Sequence, residues 1–212
     1  MIRPQNDPAE GGLPRRPLSM TRAWTLKVTL EGSEPPVWRR IAVDQWTTLT
    51  ELHRIFQVVM GWVDLALWAF EVGDVIYEEL DMDAEGENAT FTAVGELRLK
   101  PGQRFLYRYD FEADWVLGIE VEKVTTVPDV ELLPWVLEGE RAGPPETVGG
   151  PVGFREFLEA IADKDHPKHD HYHDWVGEGH DPERFDCNMA NTFLGLAMAW
   201  GAIGSVPWIG DG

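Results

Sequence analysis

The chain has 212 residues, is 43% hydrophobic with 10 tryptophans, and carries a formal net charge of −19. That length and apolar content suit one sizeable core, or a core with a satellite, and exclude a disordered chain. A surface so acidic repels phosphate backbones, and the basic residues form only short pieces such as Arg15-Arg16 and Arg39-Arg40, so nucleic-acid binding is not expected.

Residues 1–21, with several Pro and Gly and no apolar run, lack a secretory signal and read as a flexible tail. Trp24, Leu26, Val28 and Leu30 alternate with Thr25, Lys27 and Thr29, the pattern of a half-buried strand. After a Gly/Pro turn, residues 37–43 form a second strand with Val37, Ile41 and Val43 on one face. Arg39 falls on that apolar face and is expected near a sheet edge or against a carboxylate.

Residues 47–62 read as one complete amphipathic helix. Thr48 and Glu51 have capping-box spacing, and Leu49, Leu52, Ile55, Phe56, Val59 and Met60 make one apolar stripe. Gly61 supplies a left-handed stop, after which Trp62 can fold back onto Phe56. A strand at 67–72, a Gly73-Asp74 hairpin turn and Val75-Ile76-Tyr77 follow. Further on, Phe105, Tyr107, Tyr109 and Phe111 share one strand face, and Leu117, Ile119 and Val121 alternate in a strand hairpinned to it. Two strands, a helix and a third strand over the same helix predict an α+β fold over residues 22–127. The expected form is a β-grasp-like mixed sheet wrapped on one central helix.

Residues 128–153 are a Pro- and Gly-rich connection. Helices are predicted from Phe154, Phe157, Leu158 and Ile161, from 167–176, and from the stretch after Asp181-Pro182, as a C-terminal satellite (128–212) packed on the core. Residues 191–210 carry no charge. Their glycines, Pro207 and Asn191 make a poor membrane span, so a buried helix or an oligomer contact is preferred and no membrane is expected.

Three stretches invite chemistry. Asp81, Asp83, Glu85 and Gly86 imitate half a calcium loop, but Thr92 stands where the loop needs its final Glu, so a solvated acidic loop is the better reading. His169 and His173, with Asp170 and Asp174 at the same spacing, can share a zinc ion. The chain lacks the Glu of a His-Glu-x-x-His protease, and a solvated, His-rich face is the preferred reading. Gly149-Gly150 before a helix start can present amides to an anion, assisted by Arg141, against a rigid loop in which Arg141 pairs with Glu140, Glu146 or a carbonyl. The single Cys187 excludes an intramolecular disulfide, fits a reducing cytoplasm and reads as a packed thiol. There is no P-loop and no Gly-x-Ser-x-Gly elbow.

An ordered series of short motifs carries a resemblance. Trp38-Arg39-Arg40, Thr48-Leu49 with Leu52-His53, Met60-Gly61-Trp62, Tyr109-Asp110-Phe111 with Trp115, Gly139-Glu140-Arg141-Ala142, Pro144-Pro145-Glu146 and Gly149-Gly150-Pro151 with Gly153-Phe154 are similar to the plasmid pRiA4b ORF-3-like family. Members are also labelled mobile-element passenger proteins resembling TnpR, although no serine-recombinase pattern or basic DNA-binding region is present. The resemblance covers about residues 24–185 and implies an α+β domain with no established reaction. Where the family tends to place histidines and cysteines, this chain has Ala66, Trp68, Leu117, Gly143 and Val148. The framework survives while ligand-capable residues are replaced, which implies a non-catalytic scaffold or protein-interaction role. No cofactor is expected, zinc being the one weighed. The expected partner is a protein, or a second copy through the apolar C-terminal tail. The alternative is a metal-dependent enzyme using the His/Asp cluster at 163–181.

Overall fold

The structure is a computed structural model that describes residues 20–79, 86–128, 133–177, 180–201 and 203. The elements in order are β1 (Met20–Leu30), β2 (Trp38–Asp44), α1 (Leu49–Met60), β3 (Trp68–Val72), β4 (Val75–Glu78), β5 (Glu87–Asn88), β6 (Arg104–Tyr109), β7 (Trp115–Pro128), β8 (Trp135–Glu140), α2 (Gly150–Ala162), α3 (His169–Val176) and α4 (Cys187–Ala199). The class is α+β, as the sequence implies. The eight strands form one sheet in the order β5-β4-β3-β6-β7-β1-β2-β8. The sheet is antiparallel from β4 to β8, and its one parallel pair among the described residues is β4 with the two-residue β5 at the edge.

Local chemistry explains α1 completely. Thr48 accepts from the Glu51 amide and the Glu51 carboxylate accepts from the Thr48 amide, while Gly61 turns left-handed at φ 77°. The apolar stripe is buried, each side chain contributing about 1.5–3 kcal/mol of transfer free energy. Phe56 meets Phe70 of β3 and Tyr107 of β6, so the helix lies on the buried face of the sheet. Alternation in β1, β2, β6 and β7 sends Trp24, Ile41, Phe105 and Leu117 to that same face. The opposite face carries ion pairs, Arg40 with Glu122 and Glu138, and Arg108 with Glu71 and Asp114. One buried and one solvated face is what an antiparallel sheet permits.

The later helices complete the buried layer. Phe154 of α2 packs on Trp115, Phe157 meets Tyr172 of α3, and Ala190 and Leu194 of α4 join the same core cluster. No helix among the described residues is long and apolar enough to cross a membrane.

Several expectations are corrected. The connection at 128–153 contains β8, an edge strand that opens on Trp135-Val136-Leu137 before Glu138-Gly139-Glu140 and whose pairing with β2 breaks register between Arg40 and Ile41. Arg39 finds carbonyls in place of a carboxylate: Val59 O at 2.9 Å, Trp38 O and Glu140 O at 2.8 Å, with the Phe185 ring 3.7 Å from its guanidinium carbon. β6 ends at Tyr109 because Asp110 turns to φ 53°, leaving Phe111 exposed. α3 begins at His169 and α4 at Cys187, later than the periodicity suggests, the latter capped by the Asp186 carboxylate. The central residues of the imagined calcium loop, 81, 83 and 85, lie outside the described residues.

Candidate functional site

The densest polar construction in the core forms where α1, β6 and the loop at 61–67 meet. His53 and Gln57 are one helical turn apart on α1 and border its apolar stripe, and both are buried. Tyr107 and Tyr109 alternate on the inner face of β6, so their hydroxyls must find partners inside the core.

Three hydrogen bonds and one close polar contact make a ring. The Asp64 amide donates to Gln57 Oε1 at 3.0 Å, which orients the side-chain amide. Gln57 Nε2 therefore donates to the Tyr107 hydroxyl at 3.0 Å. The Tyr107 O–H is left to donate to His53 Nδ1 at 2.7 Å. That assignment puts the imidazole proton on Nε2, which faces Asp64 Oδ1 at 3.1 Å without the alignment of a hydrogen bond. His53 also stacks on Trp68, with centroids 4.3 Å apart and planes at 10°. Burial lowers the His53 pKa from its usual 6.5, outweighing the opposing pull of Asp64, and burial drives Tyr107 well above its ordinary value. At neutral pH the ring therefore holds a neutral imidazole and a neutral phenol.

Directly beside it, Glu146 enters from the loop at 141–149. Its Oε2 accepts from the Val63 amide at 2.7 Å, and its Oε1 accepts from the Tyr109 hydroxyl and, at 3.1 Å, from the Leu65 amide, which it shares with the Tyr109 oxygen at 2.7 Å. Two indoles secure the same loop: Trp62 Nε1 donates to Pro144 O and Trp115 Nε1 to Glu146 O, both at 3.1 Å. Trp62 stacks on Tyr109 at 5.1 Å and leans on Trp115, rather than folding onto Phe56 as expected. Burial raises the Tyr109 pKa, with its bond to Glu146 adding to the effect, so the phenol stays a donor.

The residues singled out from sequence lie elsewhere. On α3 the His169 and His173 rings are 5.7 Å apart, and His169 Nδ1 donates to Ala160 O at 2.8 Å. Asp170 and Asp174 share the helix, but no group of three or more His, Cys, Asp or Glu able to hold a metal assembles among the described residues. Arg141, at φ 66°, pairs with Glu183, not with the partners expected, and its Nε is buried without a hydrogen-bond partner among the described residues. Gly149 caps α2 at φ 93°, and the Ala113 carbonyl oxygen lies 2.0 Å from where a Cβ on Gly150 would stand, so a carbonyl already faces that helix start. Cys187 is half-buried at the first position of α4. A cleft of about 390 Å³ opens between the turn at 32–34 and α2, lined by Ser33, Glu34, Phe154, Arg155 and Leu158, and contains none of the sequence candidates.

His53, Trp62, Tyr109, Trp115 and Glu146 all stand in motifs that carry the family resemblance, but nothing in the sequence brings them together at one place, and Gln57 and Tyr107 lie outside those motifs. The available signal was indirect: two polar residues bordering an apolar helix stripe and two tyrosines on an inward strand face.

The comparisons with known proteins agree with one another. The model of the plasmid pRiA4b ORF-3-like protein family matches residues 22–189. The uncharacterised protein y4hQ of Sinorhizobium fredii (strain NBRC 101917 / NGR234) is 35% identical over 155 residues, 72% of this chain and 79% of that one. The crystal structure of MM3350 from Methanosarcina mazei Go1, a protein of unknown function, superposes with a TM-score of 0.71 at 30% identity, covering 80% of this chain and 98% of that one. With the family model spanning most of the chain and a relative 35% identical over 72% of it, this protein belongs to the plasmid pRiA4b ORF-3-like family.

Proposed function

We propose that the protein is a non-catalytic protein-interaction module, in the mobile-element setting that the resemblance implies, and that α4 is its docking element. The observation that carries this reading is the exposure of Met189, Phe193, Leu196 and Trp200, which follow one another at helical spacing along one side of α4. Ala190 and Leu194 anchor the other side in the core. A surface helix ordinarily shows water a polar face, and an outward apolar stripe anchored from behind suits insertion into a partner's groove. In fold terms, the hairpin of β1 and β2 followed by α1 on the buried sheet face supports describing residues 22–127 as a β-grasp-like unit extended at both edges. The partner is a protein of the same cell, with neither nucleic acid nor membrane required.

Phe193→Asp combined with Trp200→Asp tests this. The variant is expected to keep its stability within about 0.5 kcal/mol, since both side chains face solvent, while losing a partner that the wild type retains on a column. Equal retention of that partner by the variant overturns the reading, and a fall in mass on sedimentation identifies the partner as a second copy.

A metal-dependent enzyme remains the second reading. It is favoured by the His169 Nδ1–Ala160 O bond, which leaves Nε2 free and oriented as in metal-ligating histidines. Stoichiometric zinc in tag-free protein, lost in His169→Ala, would establish it.

A further inference from the structure

The loop at 61–67 and the end of β6 meet Glu146 through three neutral donors, the Val63 amide, the Tyr109 hydroxyl and the Leu65 amide, the last shared with the Tyr109 oxygen it also bonds at 2.7 Å. We infer that this loop is a carboxylate receptor whose resident occupant is the chain's own Glu146, and that it takes an external aliphatic monocarboxylate when that side chain is withdrawn.

The donors owe their positions to the ring beneath them. Asp64, which separates the two donating amides, is held to α1 through Gln57 and lies against His53. Tyr109 is fully buried and stacked on Trp62. The receptor is thus organised without Glu146, the condition under which a vacated site keeps its affinity. The occupying loop is likewise held independently of the carboxylate, by the two indoles and by the Val148 amide bonding to Pro145 O at 3.1 Å.

The donor set selects the ligand class. Three neutral donors converging on two oxygens match a planar monoanion, whereas a phosphate dianion gains no cation from them and meets a chain of net charge −19. The residues whose amides meet the carboxylate, Val63 and Leu65, are themselves 69% and 67% exposed. Leu67 and Phe111 extend this rim, joined by the Asp110 amide on Leu67 O at 2.9 Å. An acyl tail leaving the receptor has apolar surface to lie on.

Titration of Glu146→Ala, followed by tryptophan emission and thermal shift, tests the inference with acetate, butyrate and hexanoate as probes. Saturable binding is expected, with affinity rising about fourfold per methylene buried. Butyramide and inorganic phosphate should give no saturable response, and adding Tyr109→Phe should weaken butyrate about tenfold. The wild type should respond weakly, because its tethered carboxylate competes at an effective concentration in the millimolar range or above. A free-carboxylate peptide ending in leucine, run beside hexanoate, separates a peptide C-terminus from a free acid as the natural source. A folded Glu146→Ala that responds equally to butyrate and butyramide, or to neither, overturns the inference. Should that variant fail to fold, refolding yield in butyrate against butyramide decides it: rescue by the acid alone supports the receptor, and no rescue overturns it.

Discussion

His53 shows how a single residue makes this fold sensitive to pH. It is 2% exposed, its Nδ1 is saturated by Tyr107, and the desolvated ring disfavours the imidazolium. Its folded pKa lies below 6.5, so below that pH the unfolded chain binds a proton that the folded chain refuses. The contribution is complete above the unfolded value and is lost as pH falls from there toward the folded value. Urea unfolding at about pH 7 and about pH 5 is expected to show a steeper loss of stability for the wild type than for His53→Gln. The difference should approach about 1.4 kcal/mol per pH unit for the one proton. Equal slopes would mean that the buried imidazole already ionises in the folded state. Arg39 makes the complementary point: a guanidinium enters the core without an acid, held by three carbonyls and the Phe185 ring. Its planar fork, rather than its charge alone, suits the site, which is why lysine is no substitute there.

At the scale of elements, β8 and α4 depend on each other. β8 ends the sheet and would expose an unpaired edge, a template for unwanted strand pairing. Asn191 closes part of it: its Oδ1 accepts from the Val136 amide at 2.7 Å and its Nδ2 donates to Val136 O at 2.9 Å, imitating one residue of a further strand. Asn191→Ala is expected to cost about 1–3 kcal/mol in denaturant unfolding and to raise the rate of aggregation on warming. Asn191→Asp keeps the acceptor but sets an anionic oxygen against Val136 O, so it should cost at least as much as Asn191→Ala. If Asn191→Ala matches the wild type by both measures, the edge is protected by something other than this amide.

For the whole molecule, charge and burial act in opposite directions. The buried sheet face with α1, α2, α3 and α4 forms one continuous apolar cluster, while the net charge of −19 repels itself across the surface. Salt shortens the reach of that repulsion, with a Debye length of about 30 Å at 0.01 M falling to about 10 Å at 0.1 M. Raising NaCl from about 0.01 to about 0.2 M is therefore expected to increase the melting temperature by a few degrees, read by differential scanning calorimetry. A melting temperature that falls over this range would show that the exposed ion pairs outweigh the net repulsion. Family membership sets these properties beside y4hQ and MM3350, neither of which brings an assigned activity.

What the amino-acid order determined by itself is the set of features written within a few residues. The capping box at Thr48 and Glu51, the left-handed Gly61, the Gly73-Asp74 hairpin and the inward parity of Tyr107 all follow from local backbone sterics and side-chain period. Tertiary structure alone decided which partners those features meet. Glu146 reaches amides 81 and 83 positions away, Arg39 reaches the carbonyl of Glu140 across 101, and β8 becomes a strand only because β2 and α4 supply neighbours. Periodicity records which face of a segment leaves water. It carries no information about which distant loop closes over that face, since that choice is made by packing and hydrogen-bond completion in the assembled core.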